Sequence, residues 1–179
     1  MYNPFQLLSM SFVTFSRNVF IPLTNICRNK CGYCGFRREM YHPGAKLLSP
    51  GEVKDILLKG ARSGCSEALF TFGERPEEVP GFREWLLEFG YENIIDYLLD
   101  LCKLSINLGL LPHSNPGILG KSEFEKLKPY NASMGLMLET LADIKGHEGC
   151  AGKNSGTRIK TIEYAGELKS RSRQGYSWG

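Results

Sequence analysis

The strongest constraint on the fold is an order of local signals. Short apolar runs alternate with segments at helical spacing, and each run opens into Gly, Pro, Asn or charged residues. Val19 to Leu23 (VFIPL) is an apolar run of strand length. Ser49-Pro50-Gly51-Glu52 supplies an N-cap, a proline at the first helical position and a capping-box glutamate. Val53, Ile56, Leu57 and Ala61 then fall on one helical face, and Gly64 ends the element. Ala68 to Phe72 (ALFTF) predicts a second strand that runs into Gly73-Glu74.

The same unit recurs. Ile94, Ile95, Leu98, Leu99 and Cys102 form a helical stripe that stops at Gly109. Leu110 to Pro112 predicts a third strand that opens into the loop His113-Ser114-Asn115-Pro116-Gly117. Ser122 and Glu125 predict a capping box on a short helix that Pro129 terminates. Ala132 to Leu138 (ASMGLML) predicts a fourth strand, and Ile159, Ile162, Ala165 and Leu168 mark a fourth helix. Such alternation specifies an α/β fold of parallel strands with helices packed outside. Chemistry in a barrel of this kind sits at the C-terminal ends of the strands, where the special residues of this chain cluster. A closed eight-unit barrel takes about 250 residues, so four units predict a partial (βα) barrel of TIM type. The expected organisation is an N-terminal extension over 1–18, the N-terminal half of a barrel over 19–169, and a tail over 170–179.

Composition narrows the function classes. The chain is 42% hydrophobic and 23% charged, ordinary for a globular protein. A net charge of +3 is too mild to call for a nucleic-acid or membrane partner, and the basic tail with Arg171 and Arg173 reads as a solvated end. The apolar stretch Met1 to Phe15 lacks a basic leader and a small-residue cleavage site, so a cytoplasmic setting is expected. In that setting six cysteines should be mostly reduced.

Three of the six crowd into Cys27-Arg28-Asn29-Lys30-Cys31-Gly32-Tyr33-Cys34, a C-x3-C-x2-C spacing. Thiolates at such spacing hold iron–sulfur clusters. Three ligands on a four-iron cluster (4Fe-4S) leave one iron open. Its natural occupant is the amino and carboxylate groups of S-adenosylmethionine, whose sulfonium accepts an electron to release a 5′-deoxyadenosyl radical. The competing reading is a zinc-binding interaction module, with His42 completing the three cysteines. Cys65 and Cys102 sit at helix-packing positions, while Cys150 stands in His147-Glu148-Gly149-Cys150, which reads as a substrate-side loop.

With these residues the sequence resembles the radical S-adenosylmethionine superfamily. It is similar, more narrowly, to the 7,8-didemethyl-8-hydroxy-5-deazariboflavin (FO) synthase family, in its cyclising subunit. The matching stretches are TFSRNVFIPLTNICRNKCGYCGF (14–36), EALFTFGERPEE (67–78), LPHSNPG (111–117), ASMGLMLET (132–140) and RIKTIEYAGELK (158–169). The resemblance implies that Cys27, Cys31 and Cys34 hold the cluster and that Tyr33 lies near the adenine. It implies that Gly73-Glu74 receives the methionyl ammonium, Glu139 the ribose hydroxyls and Arg158 the methionyl carboxylate. An acidic side chain suits a cationic ammonium, and the planar fork of Arg suits a carboxylate.

The implied reaction is that of a radical lyase. A tyrosine-using partner subunit joins a 4-hydroxybenzyl group to 5-amino-6-(D-ribitylamino)uracil, and this subunit oxidises and cyclises that adduct with loss of ammonia. An electron donor such as ferredoxin or flavodoxin is implied with it. Biotin-synthase-like and maturase-like enzymes share the cysteine loop and form the alternatives within the superfamily. Family-like sequence stops at Lys169, and Ser170 to Gly179 (SRSRQGYSWG) carries no strand pattern. Its codons can be chosen so that one restored adenine yields Ile-Pro-Phe-Thr-Thr-Gly-Ile-Leu-Leu-Gly, an apolar strand. A frameshifted tail on a chain that does not turn over alone is therefore the expectation.

Overall fold

The computed structural model of the chain describes residues 15–169 and the backbone of 172–175. The reading of Met1 to Phe15 falls almost wholly outside the described residues, as do the side chains of Arg171 and Arg173. Five strands form one parallel sheet in the order of the sequence: β1 (Asn18–Thr24), β2 (Glu67–Phe72), β3 (Leu111–Asn115), β4 (Ser133–Met137) and β5 (Ser172–Gly175). Between them run α1 (Pro50–Arg62), α2 (Phe82–Glu88), α3 (Ile94–Asn107), α4 (Lys121–Leu127) and α5 (Ser155–Glu167).

Sequential order with right-handed crossovers puts every helix on the same face of the sheet and curls it toward a barrel. The two faces of β1 differ accordingly. Ile21 and Leu23 are fully buried against the helices, with Val53 and Leu57 of α1 in the same core, whereas Phe20 on the other face is 55% exposed. Leu111 (58%) and Met137 (41%) are exposed as well. The concave, barrel-interior face is thus open at these positions, and the site lies on it.

The first helix starts as its sequence dictates. Ser49 Oγ accepts from the Glu52 amide and the Glu52 carboxylate accepts from the Ser49 amide, the reciprocal box that supplies two otherwise unpaired N–H groups with acceptors. Asn93 caps α3 with its side chain alone, accepting from Asp96 N, and Gly109 takes φ +80° where the chain leaves that helix.

Four expectations need correction. The third strand does not stop at Pro112. It continues through His113, Ser114 and Asn115, which pair in register with Leu69, Phe70 and Thr71 of β2, because their side chains find partners inside the sheet rather than in solvent. The cap of α4 is Gly120 with Glu123, whose carboxylate accepts from Gly120 N at 2.7 Å, two residues before the predicted Ser122–Glu125 box. Glu123 also grips Arg75, and that ion pair fixes the earlier register. The buried stripe of α5 is Arg158, Thr161 and Ala165, while Ile159 is exposed. Finally, the segment without a strand pattern contributes a strand: the backbone of 172–175 pairs with β4 from Met134↔Ser172 to Met137↔Gly175. Parallel pairing uses backbone groups alone, so a polar segment can extend a sheet edge.

Candidate functional site

The three clustered cysteines follow β1 directly, at the C-terminal end of the sheet. Cys27 and Cys31 are half-buried, Cys34 is exposed, and all three are free thiols. The loop is anchored to the end of β2: Arg28 N donates to Glu74 O at 2.9 Å, and Glu74 N donates to Cys27 Sγ at 3.1 Å. Gly73 makes that approach possible. A Cβ there would lie 2.3 Å from Ile26 O and 2.4 Å from Cys27 Cβ, closer than any real contact. Burial pushes the Cys27 thiol up, and burial first, with the Cys150 thiol beside it, raises Cys31 to about 11. A bound cation reverses that preference by drawing out the thiolate.

Cys27, Cys31, Cys34, Tyr33, Gly73, Glu74, Glu139 and Arg158 all line one cleft of about 460 Å³. The eight candidate cluster and S-adenosylmethionine contacts therefore meet in one cleft, brought there from the ends of β1, β2 and β4 and from α5. His42 is not among them. It is exposed, accepts a hydrogen bond from Gly44 N at 2.9 Å and does not line the cleft. Among the described residues no three His, Cys, Asp or Glu side chains converge on a single metal ion, and the fourth ligand of the zinc reading lies outside the cleft.

Glu74 is the electrostatic centre. One carboxylate oxygen accepts from Arg28 at 3.0 Å and the other from Arg158 at 2.9 Å, and the Glu74 and Arg158 side chains are each at most 4% exposed. Arg28 also reaches Glu78 at 2.7 Å. The Nε of Arg158 is buried without a hydrogen-bond acceptor, an uncommon state for a guanidinium. A carboxylate arriving in the cleft would satisfy it. That orphaned donor, a carboxylate beside it and three thiols on one rim together fit a cluster carrying an amino-acid-like ligand.

The opposite rim is built on Glu139, two residues past β4 at φ +63°, a strained backbone for a side chain with a Cβ. One of its carboxylate oxygens, Oε2, gathers three donors: the Tyr33 hydroxyl, Lys153 Nζ at 2.7 Å and His147 Nε2 at 3.2 Å. Burial opposes the charge, but the Lys153 and Tyr33 hydrogen bonds outweigh it and hold Glu139 below the usual carboxylate range. Burial and the same Glu139 contact push the Tyr33 phenol well up, so it stays a neutral donor.

Sequence reasoning missed Arg28, Asn29, Lys153 and Gly152. The loop carrying the last two braces the cysteine loop: Gly32 N donates to Gly146 O, Gly152 N to Asn29 Oδ1, and Lys30 N to Cys150 Sγ at 3.3 Å. The substrate-side reading of His147 to Cys150 thus becomes, for Cys150, a buried contact to the cluster loop. Nothing in the local spacing announces contacts that span more than a hundred residues.

Residues 21–175 match the radical SAM superfamily. Over 157 residues the chain is 59% identical to a 7,8-didemethyl-8-hydroxy-5-deazariboflavin synthase of Methanosarcina mazei, a match covering 88% of this chain and 47% of that protein. A synthase of the same name from Methanococcoides burtonii is 58% identical over 158 residues, again 88% of this chain and 48% of the relative. The chain thus spans about half the length of the curated relatives it matches. Among solved structures, HydG, a maturase of the FeFe-hydrogenase, superposes with a TM-score of 0.73 at 20% identity over 90% of this chain and 35% of its own, a likeness of fold. With its cysteine loop, its curled parallel sheet and its match over most of its length, the chain belongs to the radical SAM superfamily.

Proposed function

We propose that residues 19–169 form the N-terminal half of the barrel of a 7,8-didemethyl-8-hydroxy-5-deazariboflavin synthase, carrying the cluster and S-adenosylmethionine sites. The substrate is the adduct of a tyrosine-derived 4-hydroxybenzyl group with 5-amino-6-(D-ribitylamino)uracil, which is oxidised and cyclised with loss of ammonia. The observation that carries the reading is the convergence of all eight sequence-derived site residues on one cleft. Identity of 50–59% to synthases of that name supports the substrate class. The tyrosine-using synthase subunit would supply the adduct, and ferredoxin or flavodoxin the electron, in the cytoplasm where thiols stay reduced.

Cys27, Cys31 and Cys34 would hold a 4Fe-4S cluster, which supplies the electron that opens S-adenosylmethionine. The chain's own residues do the rest by charge and position. Glu74 offers its carboxylate to the methionyl ammonium, and Arg158 offers its orphaned Nε to the methionyl carboxylate. Entry of an ammonium–carboxylate pair exchanges one ion pair for two, so the buried charges stay compensated throughout. Glu139 has committed Oε2 to Tyr33, His147 and Lys153 and keeps its other oxygen for ribose hydroxyls. Tyr33 closes the adenine side.

Anaerobic reconstitution with iron and sulfide tests the site, and incubation with the adduct tests the substrate. Four irons per chain with deoxyadenosine release are expected of this chain, and deazaflavin formed with ammonia is expected of a complete relative given the adduct. Deoxyadenosine without any effect of the adduct would remove the substrate assignment and leave the superfamily site standing.

A further inference from the structure

The floor of the cleft holds a polar construction that none of the roles above uses. The interior-facing side chains of β2, β3 and β4 stack in rows. The lower row is Leu69, His113 and Ser133, paired in register. The upper row begins with the register pair Thr71 and Asn115 and reaches Gly135 on β4. The upper row lines the cleft, and His113 and Ser133 lie behind it, both buried.

The lower row fixes the upper. Ser133 Oγ lies 2.6 Å from His113 Nδ1, and His113 Nε2 lies 3.2 Å from Asn115 Oδ1. With Ser133 donating to Nδ1, the proton sits on Nε2 and the imidazole donates to the Asn115 carbonyl oxygen. Gly135 completes the arrangement. A Cβ there would lie 1.7 Å from Asn115 Oδ1 and 3.1 Å from His113 Nε2, so the carboxamide occupies the room a side chain would take. Asn115 is thereby held with its oxygen spent and its NH₂ left for the cleft. Beside it, in register, stands the Thr71 hydroxyl, which can donate or accept.

We propose that Asn115, aimed by His113, and Thr71 form the subsite that reads the carbonyl and ring N–H edge of a pyrimidinedione substrate. The inference rests on the substrate class proposed above. A pyrimidinedione alternates C=O and N–H along its edge, and the pair offers an N–H donor next to a hydroxyl, with parallel strands set about 4.8 Å apart. The ammonium, carboxylate and ribose of S-adenosylmethionine already have partners on the cysteine and Glu139 rims, so this row is the polar surface left for the second ligand. Asn115 and Thr71 are binding residues; His113 and Ser133 are positioning residues.

The test is equilibrium titration of the cluster-loaded 179-residue chain with the 4-hydroxybenzyl–ribitylaminouracil adduct in the presence of S-adenosylmethionine. Asn115→Asp keeps the shape and replaces the donor with an acceptor, and should weaken the adduct by about tenfold or more, the worth of one lost hydrogen bond facing a repelled carbonyl. The affinity for S-adenosylmethionine should move far less. Thr71→Val, isosteric and β-branched like the original, should weaken the adduct in the same direction, and it carries the test if Asn115→Asp fails to load cluster. For His113, Gln restores an N–H donor and should retain binding that Phe loses. Equal adduct affinity in wild type and in both Asn115→Asp and Thr71→Val overturns the subsite while leaving the deazaflavin reading intact. A parallel loss of S-adenosylmethionine affinity also overturns it, by assigning the row to that ligand. If the wild type itself ignores the adduct, the reading beneath falls and the subsite with it.

Discussion

Arg158 and Glu74 stand 84 residues apart in the sequence and meet at 2.9 Å with both side chains almost wholly buried. Each costs several kcal/mol to remove from water, so neither would be in place without the other. The compensation is lopsided. Glu74 has a second partner in Arg28, whereas Glu74 is the one carboxylate that Arg158 touches among the described residues.

That asymmetry sets an order of stabilities. Glu74→Ala leaves Arg158 buried and unpaired and should cost on the order of 3–5 kcal/mol. Arg158→Met leaves Glu74 paired with Arg28 and should cost clearly less. Denaturant titration of the two variants checks this, and equal losses would mean that Arg28 contributes nothing. In the loaded protein Glu74→Ala should also weaken S-adenosylmethionine while iron content holds, since Glu74 seats Cys27 through its backbone N–H and its carboxylate reaches the cysteine loop at Arg28, not at a thiol.

Replacing any one of Cys27, Cys31 or Cys34 with Ala should abolish cluster assembly. Each removes one of three thiolates, and Cys150, the nearest other thiol, is buried with Lys30 N donating to its sulfur. Iron analysis after anaerobic reconstitution gives the answer, and a full complement in a single variant would remove the ligand assignment. Cys65→Ala should leave iron content unchanged.

What was legible in the sequence was whatever is local. The Ser49–Glu52 box, the β1 and β2 cores and the cysteine spacing each lie within a few residues, and spacing alone encodes them. The fold followed because alternation repeats. The misreadings share a cause: His113–Asn115 looked like a turn because polar residues before Pro-Gly usually are one. Their hydrogen bonds to Ser133 and Asn131, which make a strand tolerable there, come from the next unit of the chain. Lys153 and Arg28 stayed invisible for the same reason, since a charge on a loop shows nothing until its distant partner is placed.

Cys102 offers a pH test away from the site. Burial raises its thiol from 9.0 to about 11, against the lowering pull of Ser114 and Asn131. The unfolded chain therefore loses this proton first as pH rises. The neutral thiol's contribution, on the order of 2 kcal/mol, is complete below pH 9 and is lost as pH climbs toward about 11. Cys102→Ala should flatten the stability profile in that window, and alkylation near pH 8 should spare Cys102 in the native chain. Rapid native labelling of Cys102 would contradict the buried placement.

Two glycines give the sharpest contrast between site and scaffold. At Gly73 an added methyl has nowhere to go, because the atoms it would strike are the Ile26 carbonyl oxygen and the Cys27 backbone and Cβ, none at the end of a flexible side chain. Gly73→Ala must therefore push the Cys27 loop off the end of β2 and break the Glu74 N to Cys27 Sγ hydrogen bond. Gly166 lies within α5, and a Cβ there meets no atom within 4 Å. Gly166→Ala removes unfolded-state freedom at no steric cost and should stabilise by roughly 0.5–1 kcal/mol. The two variants should then separate cleanly: Gly166→Ala melts higher and takes up full iron, while Gly73→Ala keeps its helical signal and loses most of its iron. Full iron in Gly73→Ala, with unchanged affinity for S-adenosylmethionine, would show that the cysteine loop does not need its seat on Gly73-Glu74.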